Sequence, residues 1–287
     1  MKTTLTLDAS QISTYLKCPL MWYYAYHERL QLSSLKTEAL DKGTLVHELL
    51  AIYYNLKDSS PCARDEAIET FKAIHGDIYH ELEFMCNRFA LYTERWKNSD
   101  FKVLTNNGIP GVEIGFSKLL YENDAVRFIV EGRIDLLSTI QGIPCFVDHK
   151  TQSKVNYLYH YTPQFKTYAW ATGYRYGIIN YFGLQQKYEE GKTFRQDLVS
   201  FNEDMILDWE KRLKRVFGEI CIAKYEASFS SGEFYKFMNI HRNDAACAGS
   251  FDSHPCQYAE LDEVYDLEMR EKIKELKYIT KEPWRPY

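Results

Sequence analysis

The chain has 287 residues, 45% of them apolar and 26% charged, with a formal net charge of −5. That length and composition describe a folded protein with a substantial core and no need of disulfides; they exclude wholesale disorder and a uniformly basic nucleic-acid binder, though not a local basic site. No apolar run approaches the ~18 residues of a membrane span, and the opening MKTTLTLDASQIS lacks the apolar stretch of a secretory signal, so no membrane contact is expected.

The first hundred residues read mainly as helices. Asp8 or Ser10 can cap a helix beginning near Gln11, with Ile12, Tyr15 and Leu16 on one face. Pro19 interrupts it and the aromatic stretch MWYYAY follows. Further helices are expected from about Thr37 to Leu56, Arg64 to Ile74 and Ile78 to Lys97. Gly108 and Pro110 mark a turn, after which the period changes. Val112, Ile114 and Phe116 alternate, as do Val126, Phe128 and Val130, which lead through Gly132 into IDLLSTI. Gln141-Gly142 turns the chain into IPCFVDHK, completing a three-stranded antiparallel meander. A helix from Pro163 to Tyr174, strands at Ile178–Leu184 and Asp197–Phe201, and a long amphipathic helix from Glu203 to Tyr225 follow. The stretch from Phe229 to His254 reads as irregular and polar. The expectation is one α/β domain over 1–287: helical to 107, an α/β core over 108–202, then a closing helix and a cysteine-bearing tail.

Four groups of residues carry chemistry. Asp148 and Lys150 are two apart in a strand and share a face; the turn at Gln141-Gly142 sets Asp135 roughly opposite Asp148. Two facing carboxylates repel unless a cation lies between them, the physical basis of a Mg²⁺ or Mn²⁺ site. Asp-x-Lys triplets also occur at Asp100, and Glu-x-Lys triplets at Glu190 and Glu275, so what distinguishes Asp148 is the apolar segment Cys145-Phe146-Val147 before it. A buried structural Asp–Lys pair is the other reading. Gly43 lies one helical turn before His47, leaving room for a close approach; His47 is a metal ligand or a core histidine. Gln164 and Tyr168 share a helix face and either contact a ligand or belong to an ordinary amphipathic helix. Cys18, Cys247 and Cys256 would suggest zinc or an iron–sulfur cluster if the fold gathered them, although four ligands are usual. The seven cysteines are an odd number, which points to a reducing, cytoplasmic compartment rather than a disulfide framework.

Taken together these segments resemble the PD-(D/E)XK nuclease superfamily, in its RecB-like exonuclease branch of CRISPR-associated and phage-type enzymes. Ser10-Gln-Ile-Ser-Thr-Tyr15-Leu-Lys-Cys18-Pro19 is similar to that branch's N-terminal motif, and Gly43-x-x-x-His47 to its histidine motif. Gly132-Arg133-Ile134-Asp135 and Val147-Asp148-His149-Lys150 are similar to its catalytic strands, and Gln164-x-x-x-Tyr168 to its helix motif. The resemblance implies a restriction-endonuclease-like core, a mixed sheet with an antiparallel meander flanked by helices, preceded by a helical portion. It implies that His47, Asp135, Asp148 and the backbone carbonyl of His149 hold Mg²⁺ or Mn²⁺, that Lys150 positions the attacking water, and that Gln164, Tyr168 and Arg133 meet the substrate, with Glu113 contributing from the preceding strand. Arg133, Lys150, Lys154, Lys166 and Arg175 would offset phosphate charge, and tyrosines would stack on unpaired bases.

The implied function is a divalent-metal-dependent DNA exonuclease in recombination, repair or phage DNA metabolism, in the cytoplasm of a bacterial or phage-infected cell. The alternative is a non-catalytic nucleic-acid-binding or assembly subunit that keeps the fold. DNA, as linear ends or single strands, is the expected partner; no Gly-x-x-x-x-Gly-Lys-Ser/Thr motor motif occurs, so a helicase, recombinase or single-strand-binding protein would act beside it. The branch often carries four cysteines for an iron–sulfur cluster; here Cys18, Cys247 and Cys256 match and the fourth is missing, its place falling within Ala259–Val264.

Overall fold

The computed structural model describes residues 2–33, 38–76, 82–97, 99, 101–152, 162–185, 187–189, 191–228, 233–248, 256–264 and 266–282. Its elements run β1 (Thr3–Asp8), α1 (Ala9–Lys17), α2 (Pro19–Trp22), a π-helical turn (Tyr23–His27), β2 (Leu30–Leu32), α3 (Glu38–Leu56), α4 (Ala63–His75) and α5 (Leu82–Arg95). The short strands β3 (Lys102–Val103), β4 (Thr105–Asn106) and β5 (Ile109–Pro110) precede the long strands β6 (Val112–Glu122), β7 (Val126–Ile140) and β8 (Ile143–Gln152). Then come α6 (Pro163–Thr172), β9 (Tyr176–Gly183), β10 (Phe194–Ser200), α7 (Glu203–Ala227), α8 (Glu233–Ile240), α9 (Asp244–Cys247), α10 (Ala259–Glu263), α11 (Leu267–Lys277) and β11 (Tyr278–Thr280).

The chain divides into two compact units: Met1–Lys36 with Ser117–Gly132 and Leu207–Tyr287, and Thr37–Phe116 with Arg133–Ile206. The second unit is a mixed α/β sheet covered by helices. The distal part of β7 runs antiparallel to β8, β8 runs parallel to β9, and β9 runs antiparallel to β10. The turn at Gln141-Gly142 places both residues at positive φ, 51° and 77°, the tight two-residue hairpin that the sequence anticipates. Leu49, Phe71 and Phe89, from α3, α4 and α5, bury against Leu136, Val147 and Ile178 of the sheet in one core cluster. A second cluster joins Phe165, Tyr168 and Ala169 of α6 to Phe146, Ile179 and Tyr181. Adjacent residues of β8 and β9 thus feed different clusters, as strand alternation requires of a sheet buried on both sides. Gly177 sits beside Phe146 in register, and a Cβ there would come within 2.3 Å of the Phe146 ring.

In the first unit β1 lies parallel to the opening of β7, from Thr3↔Val126 to Asp8↔Glu131. The sequence analysis places no strand here; the alternation of Thr3, Leu5 and Leu7, the two leucines buried, is its signal. Asp8 then caps α1, its carboxylate accepting from the N–H groups of Ser10 and Gln11 at 2.7 and 2.9 Å. Trp209, Leu213, Val216 and Phe217 form the buried face of α7, and Phe217 packs on Phe128 with ring centroids 5.2 Å apart. The stretch read as irregular contains α8 and α9: Phe234 and Met238 are buried, and Asn243 caps α9. Aromatic packing of Phe234 on Trp22 and Tyr23 supplies the stability that local polarity obscured. β11 closes on β2 in an antiparallel pair. No described helix is long and apolar enough to cross a membrane.

Candidate active site

The site of interest is built entirely within the second unit. The β7–β8 ladder runs from Ile140↔Ile143 to Leu136↔Val147. One further step would set Asp135 opposite Asp148, and there the ladder ends. The N–H of His149 donates instead to Asp135 Oδ2 at 2.7 Å, while β8 continues its pairing with β9 as far as Gln152. A backbone donor is thereby spent on a side-chain carboxylate, and the two strands open around the two acids.

Lys150 follows on the Asp148 face. Its Nζ lies 2.6 Å from Asp148 Oδ2 and donates to Gln164 Oε1 at 2.8 Å. Gln164 Nε2 donates to the Tyr168 hydroxyl at 2.9 Å, and that hydroxyl donates to the Arg133 carbonyl at 2.7 Å. One chain of contacts therefore runs from Asp148 through α6 to the backbone of β7 and fixes the ammonium. The spacing of Gln164 and Tyr168 on one helix turn is what lets the amide bridge them.

His47 reaches the acids from α3, with Nδ1 3.5 Å from Asp135 Oδ2 and its ring hydrogen-bonded to the His149 backbone. α3 can lie this close to β8 because residue 43 is glycine; a Cβ would stand 3.0 Å from Thr151 Oγ1. Glu113 comes from β6 with φ of 51°, a conformation that costs a residue other than glycine, and it pairs with Arg133 Nε at 2.7 Å. The Arg133 side chain is half exposed.

The electrostatics are unbalanced. Burial, and then the Asp148 charge, hold the Asp135 carboxyl well above its ordinary range. Burial raises Glu113 and lowers His47. Asp148 is 0% exposed and neither of its oxygens accepts a hydrogen bond; its Lys150 contact is an ion pair without hydrogen-bond geometry. A buried carboxylate met by one ammonium and no hydrogen-bond donor is costly in a protein interior, and a divalent cation would satisfy it further. Donor atoms of His47, Glu113 and Asp135 all lie within 4.8 Å of one another, the sole such set among the described residues. The donor set of one imidazole and several carboxylates suits Mg²⁺ or Mn²⁺.

His47, Asp135, Asp148, His149, Lys150, Gln164, Tyr168 and Arg133 thus all lie in this region, but the close donor group contains Glu113 and not Asp148, which contacts Lys150 instead. The positive φ of Glu113 has no signature in the sequence. Lys154 lies outside the described residues. A polar group missed by sequence reasoning, Asn180, lies behind the site; its signal was an amide inside the apolar strand Ile178-Ile-Asn-Tyr-Phe182.

The three cysteines meet in the first unit. Cys247 lies beside Cys18 and Cys256, and burial together with those thiols pushes its own thiol up to about 12. Asp262 is the neighbouring carboxylate in the segment where a fourth ligand was sought, but Arg242 is bound to it and Tyr235 donates to it at 3.3 Å. Among the described residues the three thiols do not reach the mutual spacing of ligands to a single ion that the acidic group attains.

A family model described as the PD-(D/E)XK nuclease superfamily matches residues 6–259. No curated protein matches the sequence. Among solved structures the chain is similar to SSO0001, at 12% identity over 75% of this chain and 78% of that one, with a TM-score of 0.33. It is also similar to a candidate exonuclease from Eubacterium rectale, at 13% identity over 74% and 80%, with a TM-score of 0.37. The family match, unlike these distant structural likenesses, spans every strand and helix that builds the site, and the chain belongs to the PD-(D/E)XK nuclease superfamily.

Proposed function

We propose that this protein is a divalent-metal-dependent deoxyribonuclease that degrades DNA from ends or single strands, with residues 1–287 acting as one nuclease domain. The observation that carries the reading is the close grouping of His47, Glu113 and Asp135 donor atoms next to the buried Asp148 carboxylate, whose oxygens accept no hydrogen bond, beside an ammonium that Asp148 and Gln164 hold in place. His47, Glu113 and Asp135, with Asp148 and the His149 carbonyl beside them, would hold Mg²⁺ or Mn²⁺. The cation, when bound, supplies a Lewis acid that polarises the scissile phosphate and eases ionisation of water.

The remaining work falls to side chains. Lys150 donates toward the attacking water and opposes the charge that grows on the phosphoryl oxygens. Gln164 keeps Lys150 in place and Tyr168 anchors Gln164, so the ammonium is preorganised. Arg133, half exposed, exchanges its Glu113 pairing for a phosphate when DNA arrives. The expected setting is the cytoplasm of a bacterial or phage-infected cell, in recombination, repair or phage DNA metabolism, beside a helicase, recombinase or single-strand-binding partner.

The test is cleavage of end-labelled linear and closed circular DNA, single- and double-stranded, with Mg²⁺ or Mn²⁺, using Lys150→Ala as the matched control. Loss of linear substrates only, reduced at least about 10²-fold in the variant, is the expected result. DNA binding without cleavage under either cation would replace the reading with that of a non-catalytic nucleic-acid-binding subunit.

A further inference from the structure

The side chain of His149 takes no part in the chemistry above, yet it is buried and fully engaged. It projects from β8 on the face opposite Asp148 and Lys150. Its Nδ1 accepts from Asn180 Nδ2 at 2.8 Å, the residue in register with it on β9. Asn180 Nδ2 also donates to the Tyr92 hydroxyl at 2.9 Å, and Asn180 Oδ1 accepts from Gln196 Nε2 at 3.2 Å, which fixes the orientation of the amide. Tyr92 and Tyr54 share a hydroxyl contact of 2.6 Å, and the Tyr54 ring stacks on the His149 imidazole, 5.6 Å between centroids and 8° from parallel. Tyr54, Tyr92, His149 and Asn180 are all buried.

An apolar core would fill this space without the need to match donors to acceptors. A satisfied polar network admits one arrangement of its members and resists sliding of one element on another. The elements tied here are β8, β9, α3 and α5. Tyr54 lies seven residues after His47 on α3, two turns along the same face. His47 meets the same imidazole edge-on, 5.8 Å between centroids and 86° between planes. One ring on β8 therefore touches α3 at two points two turns apart, one of them the histidine that faces Asp135.

Resting on the nuclease reading, we propose that His149, held by Asn180 and Tyr54, is a positioning residue: its side chain sets His47 of α3 against the carboxylates of β7 and β8 and so governs divalent-cation affinity. Loss of a group that orients a metal ligand typically weakens cation affinity 10- to 100-fold. The experiment titrates Mn²⁺ into wild type, His149→Phe and Asn180→Leu, reading the half-saturating concentration from the rise in Tm and from calorimetry, with kcat and KM for linear DNA in parallel. His149→Phe keeps an aromatic ring but lacks the acceptor, and Asn180→Leu keeps the volume but lacks the donor. Phe89→Leu, which loosens the same core and removes a ring stacked on Tyr92 but leaves every donor and acceptor of the polar chain in place, calibrates destabilisation alone.

The expected result is a half-saturating Mn²⁺ concentration raised about tenfold or more in both polar variants, with KM for DNA unchanged and kcat largely restored at saturating Mn²⁺. Phe89→Leu should lower Tm and leave the Mn²⁺ midpoint in place. Polar variants that behave like Phe89→Leu, or that fail to fold where Phe89→Leu folds, would assign His149 to the core alone and overturn the proposal. Asp148→Asn separates the two levels. If wild type gains stability from Mn²⁺ and Asp148→Asn does not, the metal reading stands and a silent His149→Phe refutes the positioning role by itself. If wild type gains nothing, both readings fall together.

Discussion

The acidic cluster of the second unit and the cysteine cluster of the first both collect metal-ligating side chains, and burial favours the protonated form in each; they differ in the charge around them. At the acidic cluster, Asp148 retains two buried oxygens without a hydrogen-bond donor, and Asp135 is pushed toward its protonated form by burial and by Asp148. At the cysteine cluster burial raises the thiols of Cys247 and Cys256, and Arg242 already offsets the adjacent carboxylate, Asp262. Proximity of donor atoms is common to both. The acidic cluster sets the carboxylates of Glu113, Asp135 and Asp148 against the cations of Lys150 and Arg133, and a further cation would relieve the remaining negative charge.

The largest effect is expected at the acidic cluster. Asp148→Asn keeps the shape of the side chain and removes its charge; DNA cleavage should fall at least about 10²-fold in a gel assay at saturating Mn²⁺. A next effect is on stability. Lys150→Ala leaves Asp148 buried without its ion-pair partner, so the metal-free variant should lose about 3 kcal/mol in urea unfolding, and Mn²⁺ should restore part of that loss. Retention of full stability would mean that the site does not need charge compensation.

The cysteine cluster should respond to different reagents. A strong chelator should leave Tm unchanged in protein freed of added metal, whereas Asp262→Ala, which removes the acceptor of Arg242 and Tyr235, should lower Tm by a few degrees, about 1 kcal/mol. A chelator-induced fall in Tm would overturn the contrast. The smallest effect concerns pH. Cys247 has a folded pKa raised to about 12 from an ordinary value of 9.0. A raised acid binds its proton more tightly in the folded state, so its contribution is intact below pH 9 and is lost as pH rises toward 12. Cys247→Ala should therefore flatten the decline of stability between pH 9 and 11, followed by urea midpoints.

The sequence displayed the acidic cluster more clearly than its surroundings. Asp135, Asp148 and Lys150 were legible because strand alternation and a two-residue turn convert sequence spacing into facing positions. His47 and Gln164 were legible as spacings whose partners were not. Glu113 carries a weak sequence signal because its placement depends on a positive φ at the start of β6, which no composition records. The His149–Asn180–Tyr92–Tyr54 chain was invisible because its members lie on four elements and pair only through tertiary packing. β1 was missed although it alternates, since six residues next to a strong helix cap give a weak local signal. α8 and α9 were missed for the reverse reason: their segment is polar overall, and the aromatic contacts that hold α8 come from the far N-terminal part of the chain.

The central claim is that the carboxylates of β7 and β8 are completed by a divalent cation. Isothermal titration of Mn²⁺ into the wild-type protein, Asp135→Asn and Asp148→Asn tests it without reference to any substrate. Wild type should show a saturable site that weakens at least about tenfold in each variant. Equal Mn²⁺ binding by all three proteins, or none by wild type, would contradict it.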